Sequence, residues 1–213
     1  MTPPAAGSNT SETIDMLTRT ALTTHAREFS SIVCAGIFSE KTTRELAHDQ
    51  GIERLTHLLA DTRTRGGGLY IIGNGGSAAV ASHAVTDFFN VGGLRAMTLH
   101  DSSTLTCFSN DYGYENAFSR RVERLLTAND VLIAISSSGQ SKNIINACRS
   151  ATTCEAQVIT LSGFRNDNLL RQLGDLNYWL DSDAYGMVEI GHLFLLHYLA
   201  DRLGMDWSDE NNG

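Results

Sequence analysis

From Ser11 onward, apolar residues recur at three- and four-residue steps: Ile14, Leu17 and Ala21, then Phe29, Ile32 and Val33. That period is the helical one, and it predicts a helix reaching about Phe38. A second helix is predicted over about Thr42 to Thr64, with Leu46, Ile52, Leu55, Leu58 and Leu59 along it and Gly51 weakening its middle. Neither helix has a strand close by in sequence to cover. Residues 11–65 therefore read as a helical arm that makes subunit contacts, and residues 1–10, with Pro3, Pro4 and several small polar residues, as a disordered lead.

After Gly66-Gly67-Gly68 the pattern changes to short apolar runs separated by helical stretches. Leu69 to Ile72, Ala96 to Leu99, Val131 to Ile135, Val158 to Leu161 and Tyr178 to Leu180 read as five strands. Strands alternating with helices predict an α/β fold with a parallel sheet covered on both faces, and the unbroken apolar run Val131-Leu132-Ile133-Ala134-Ile135 suits a strand buried on both sides. Residues 66–205 form this α/β domain. In such sheets ligands bind beyond the carboxyl ends of the strands, so the segments following them are where chemistry is expected.

Composition narrows the partners. The chain of 213 residues is 42% hydrophobic and 19% charged, with a net charge of −8 and no concentrated basic run. Nucleic acid is therefore not expected as a partner. The run Leu193 to Leu199 is too short to span a bilayer. Cys34, Cys107, Cys148 and Cys154 form no C-x-x-C pair and follow no secretory signal, which points to reduced thiols in a cytoplasmic protein.

The first strand runs into Gly73-Asn74-Gly75-Gly76-Ser77, a turn in which glycines let a ligand approach the backbone and Ser77 can cap the next helix. No Gly-Lys-Ser/Thr follows, so this is not a P-loop. The third strand runs into Ser136-Ser137-Ser138-Gly139-Gln140-Ser141 just before another helical stretch. Hydroxyls and free backbone donors at a helix start suit a phosphate monoester, whose oxygens are acceptors. Two such loops point to a phosphorylated small molecule.

In combination, "GNGGSAA", "ISSSGQS" and, between them, "CFSNDYGYENAFSR" (Cys107 to Arg120) resemble the sugar isomerase (SIS) family and, within it, the phosphoheptose isomerases, over residues 12 to 203. The resemblance implies a three-layer sandwich with a five-stranded parallel sheet, and a homotetramer with active sites between subunits. It also implies phosphate held by Ser136, Ser137, Ser138 and Ser141, with Asn74, Gly75, Ser77, Asn110 and Asp111 contacting the sugar.

His83 and Asp87, at i and i+4, project from one helix face. Glu189 and His197, eight residues apart on the last helix with His192 between them, turn toward one cavity. Imidazole and carboxylate ligands from two helices suit zinc or a similar divalent ion. In the resembled family the four places hold His, Glu, Gln and His, which bind one zinc per subunit; here Asp87 replaces the Glu and Glu189 the Gln. His25, His48, His57 and His100 have no partner at metal spacing.

Such a site supports aldose–ketose interconversion through an enediol, with Asp87 or Glu189 as base and His197 as acid. The resemblance implies sedoheptulose 7-phosphate as the substrate and a manno-heptose 7-phosphate as the product, for surface glycans. Another ketose phosphate, or a non-enzymatic SIS tetramer acting as a protein-binding regulator, are the other readings.

Overall fold

A computed structural model describes residues 21–41 and 44–211, with side chains described through residue 205. The lead at 1–10 and the start of the first helix lie outside the described residues. Among the described residues seven strands form one sheet, in the order β2-β1-β7-β6-β5-β3-β4. Five of them are parallel: β3 (Gly68–Ile72), β4 (Arg95–Thr98), β5 (Val131–Ser136), β6 (Gln157–Ser162) and β7 (Leu176–Trp179). These are the five strands expected from the sequence, with ends shifted by one or two residues.

The other two strands come from the segment read as helical arm. Helix α1 (Leu22–Cys34) stops short of Phe38, and β1 (Ile37–Glu40) pairs antiparallel with β7, Ile37 opposite Trp179 and Phe38 opposite Tyr178. β2 (Glu45–Leu46) then pairs antiparallel with β1. The second helix, α2 (His48–Thr64), starts after this hairpin and buries Ile52, Leu55 and Leu59 in the main core. It is therefore a layer of the sandwich and not part of a hairpin outside the sheet. Gly51 is the point where the Phe38 side chain packs onto α2, and a Cβ there would overlap it. By contrast α1 buries none of its residues.

Both faces of the central strands are covered, which is why they read as unbroken apolar runs. Leu69 and Ile71 of β3 and Val131, Ile133 and Ile135 of β5 pack with α2, with α3 (Gly76–Asn90) and with the long α7 (Tyr185–Asn211). Tyr70 and Ile72, with Leu132 and Ala134, face the other way. There they meet Phe118 and Val122 of α5 (Ala117–Leu125) and Ile144, Ala147, Cys148 and Ala151 of α6 (Lys142–Thr153). Between β4 and α5 lies α4 (Ser102–Tyr112), capped by Asp101, which accepts from the Thr104 N–H. The four cysteines are free thiols, and burial pushes Cys148 up to about 12. Among the described residues no helix is long and apolar enough to cross a membrane.

His192 fixes α7 to the end of β6. Its Nε2 lies 3.1 Å from the Ser162 carbonyl oxygen, which can only accept, so Nε2 carries the hydrogen and the buried ring is neutral. Burial lowers its pKa from the ordinary 6.5 to about 4. The unfolded chain thus takes up this proton first as pH falls. The stabilisation is complete above pH 6.5 and lost between about 6.5 and about 4, amounting to about 3 kcal/mol at most. His192→Gln should flatten the pH dependence of unfolding free energy in that window, measured by urea denaturation at several pH values; a slope equal to that of the unsubstituted protein would contradict the neutral-ring assignment.

Candidate active site

The site is assembled from three segments: the loop after β3, the loop after β5, and one face of α7. The β3 loop turns at Gly75, whose φ of 53° is costly for any residue with a Cβ. Gly75, not Ser77, occupies the position before α3, and it makes no side-chain cap. Ser77 instead lies buried in the first turn. The sequence expectation of a serine cap is corrected here because the chain enters the helix two residues earlier.

Gly76 allows the closest approach in the site. A Cβ built there would overlap the carboxylate of Glu189, so the end of that side chain from α7 rests directly on the start of α3. Glu189 thereby lines a cavity of about 360 Å³ together with Asn74, Gly75, Gly76 and Ser77 on one side and Ser136, Ser137, Ser138 and Ser141 on the other. Within the serine loop, Ser136 Oγ donates to Ser141 Oγ at 3.2 Å, and the Gln140 N–H reaches Ser138 Oγ at 3.3 Å. Ser137 Oγ is buried and has no hydrogen-bond partner among the described residues. A buried hydroxyl left open in this way is costly, and a phosphate oxygen in the cavity would satisfy it.

The second cluster lies further along α3. Ala81, Ala84 and Phe88 bury one face of that helix against Leu195, Leu196 and Leu199 of α7, leaving His83 and Asp87 on the flank that meets His197. Donor atoms of His83, Asp87 and His197 all fall within 4.8 Å of one another. His197 Nδ1 is 2.9 Å and His83 Nε2 3.6 Å from Asp87 Oδ2, and the two imidazole rings stand edge-on at 4.9 Å. Yet Oδ2 is screened from solvent and makes no hydrogen bond of good geometry among the described residues, short as the His197 distance is. Two imidazole nitrogens and a carboxylate oxygen converging with unused lone pairs fit a borderline divalent cation.

The structure thus separates residues that the sequence grouped. Of the four metal candidates, His83, Asp87 and His197 converge, while Glu189 is not in that cluster and stands in the serine cavity. Asn74, Gly75, Ser77 and the four serines share that cavity. Asn110 and Asp111 lie on exposed α4, do not line it, and bond to each other, Asn110 Nδ2 donating to Asp111 Oδ1 at 3.0 Å; Asp111 also accepts from Cys107 Sγ at 3.5 Å.

Three residues of the site went unremarked in the sequence, and a fourth, His100, was noted there only as lacking a partner at metal spacing. Tyr185 lines the cavity. Asn143 and Tyr114 bond to Asn74. His100 Nε2 accepts the Gly73 N–H at 3.2 Å, and burial holds this imidazole below its ordinary pKa. Tyr114 stands inside the Cys107–Arg120 segment and could have been flagged; the others carry no local signal.

Comparison with known proteins agrees with this architecture. The family model for the SIS domain matches residues 39–163, and the chain belongs to the SIS domain family. Within that family it groups with the phosphoheptose isomerases. It is 36% identical over 168 residues to the phosphoheptose isomerase of Helicobacter pylori strain ATCC 700392 / 26695, covering 76% of this chain and 87% of that protein. With the phosphoheptose isomerase of Geotalea daltonii it shares 39% over 160 residues, covering 71% and 82%. The solved structure of phosphoheptose isomerase from Neisseria gonorrhoeae superimposes with a TM-score of 0.68 at 31% identity, covering 72% of this chain and 85% of that one.

Gly76→Ala should leave the unfolding free energy within about 1 kcal/mol of the parent, because the group its Cβ meets is the mobile end of the Glu189 side chain, and should push that carboxylate aside. A crystal structure of the variant with Glu189 unmoved would contradict the close approach.

Proposed function

We propose that the protein is an aldose–ketose isomerase of phosphorylated sugars, converting sedoheptulose 7-phosphate to D-glycero-D-manno-heptose 7-phosphate for nucleotide-activated heptose and surface glycans. The observation that carries this reading is that one cavity holds both a hydroxyl-rich loop suited to phosphate and the carboxylate of Glu189. Membership among proteins named phosphoheptose isomerase supports the choice of sugar. Ser136, Ser137, Ser138 and Ser141 bind the phosphate, and the backbone at Gly75 lies along the sugar chain.

Glu189 is the better candidate for the base. It lines the serine cavity, whereas Asp87 Oδ2 is turned to two imidazoles and shielded from solvent. Glu189 takes the proton from the carbon beside the carbonyl and returns it to the neighbouring carbon after the enediol forms. His197 presents Nδ1 to Asp87, which leaves Nε2 to exchange a proton with the substrate oxygen. His83, Asp87 and His197 would hold one divalent ion, zinc by their donor set, and when bound it would polarise the substrate oxygens.

Assembly as a homotetramer with sites near subunit boundaries is supported by surfaces that a single chain leaves open. Helix α1 buries no residue, and Ile190, Phe194 and Tyr198, spaced by four along α7, are 58%, 55% and 45% exposed. A cytoplasmic location suits the four free thiols.

Purified protein is expected to convert sedoheptulose 7-phosphate, and not the unphosphorylated sugar, in a coupled assay. Glu189→Gln should lower kcat by about 10²–10⁴-fold; unchanged kcat would exclude Glu189 as the base. Asp87→Ala should weaken zinc binding by at least about tenfold in a calorimetric titration, and equal affinity would remove Asp87 from the ligand set.

A further inference from the structure

The orientation of Asn74 is dictated by a group well away from it in sequence. The Ile144 backbone N–H can only donate, and it is shared between the Ser141 carbonyl at 3.1 Å and Asn143 Oδ1 at 3.0 Å. That fixes which end of the Asn143 carboxamide is oxygen. Asn143, buried at 3% exposure, then faces Asn74 in a reciprocal pair, with Asn74 Nδ2 donating to Asn143 Oδ1 and Asn143 Nδ2 donating to Asn74 Oδ1, both at 2.9 Å. The remaining lone pair of Asn74 Oδ1 accepts the Tyr114 hydroxyl at 2.7 Å. Tyr114 is itself held near α6, because Asn146 Nδ2 donates to the Glu115 carbonyl at 3.0 Å.

An Asn side chain has two acceptor lone pairs and two N–H groups. At Asn74 both acceptor positions and one N–H are spent inside the protein. We propose that Asn143 and Tyr114 are positioning residues that clip the β3 loop to the start of α6 and leave Asn74 a single N–H for a substrate oxygen. Asn74 is then a one-donor contact, selecting a carbonyl or hydroxyl oxygen over a donor group at that place. The clip also sets the distance between the glycine loop and the serine loop, which are the two walls of the cavity. This inference rests on the phosphosugar reading of the cavity for its effect on catalysis, while the clip itself is a property of the chain.

The test is a double-mutant cycle of Asn74→Ala and Asn143→Ala, with Tyr114→Phe as a variant that removes only one exposed hydroxyl. Asn143→Ala is expected to raise KM for sedoheptulose 7-phosphate about tenfold with kcat changed less than about threefold, and Tyr114→Phe to raise it about threefold. The double variant should be no worse than Asn74→Ala, because Asn143 acts through Asn74. Multiplicative losses, or Asn143→Ala and Tyr114→Phe proteins with unchanged KM, would overturn the proposal. The clip is read independently from the side-chain amide resonances of Asn74 in 15N-asparagine-labelled protein. Tyr114→Phe and Asn143→Ala should each shift them and speed their exchange with solvent; unshifted signals would also overturn it. An unsubstituted protein inactive on this sugar, with those shifts present, would reject the isomerase reading and leave the clip standing.

Discussion

A parallel strand buried on both faces cannot end where its apolar residues end; its loop must emerge from between two helical layers and return to one of them. In this protein β3 and β5 are such strands, with Leu69 and Ile71 turned to one layer and Tyr70 and Ile72 to the other. They are neighbours in the sheet, Leu69 opposite Val131. Their loops therefore leave side by side at the same edge, and the helices that follow, α3 and α6, start next to each other on opposite faces. The facing starts of α3 and α6 and the crossing of α7 define the cavity. Everything proposed for catalysis depends on that adjacency, because it brings a backbone turn, a row of hydroxyls and a carboxylate together from residues more than a hundred positions apart.

Polar positions then refine what packing sets. His192, neutral and bonded to the Ser162 carbonyl, anchors α7 at the end of β6. Glu189 and His197 stand three residues before and five after it on the same helix, so this bond fixes how that helix is turned. Glu189 falls over Gly76, and His197 falls against Asp87 about two helical turns further along. One helix thus carries both a carboxylate that lines the serine cavity and an imidazole that converges with His83 and Asp87. Asp87 lies with the two imidazoles, and Glu189 is the carboxylate that lines the serine cavity, which is the division of roles we propose for the two acids.

Much of this was legible in advance. The five parallel strands follow from apolar runs, and the two loops from glycines and serines just after them. What escaped was long-range. Ile37 and Phe38 continue a helical apolar pattern, yet they form a strand because Trp179 and Tyr178 lie opposite them, and no local window contains that pairing. Gly51 looks like a weak point in α2 until Phe38 is seen packed on it. The same limit applied to the site. His83 with Asp87 was visible as an i, i+4 pair, but the partition of Glu189 from His197 depends on where α3 crosses α7. Asn143 and Tyr114 have no spacing rule that ties them to Asn74, and only the folded chain shows them bonded to it.

The central claim is that one cavity between the β3 and β5 loops holds the phosphorylated sugar with its reacting carbons beside Glu189. A crystal structure of the protein with sedoheptulose 7-phosphate bound tests it directly. The account predicts the phosphate against Ser136, Ser137, Ser138 and Ser141, and the carbonyl end of the sugar between Glu189 and the His83, Asp87, His197 cluster. A phosphate seated outside the serine loop, or a carbonyl end out of reach of Glu189, would contradict it.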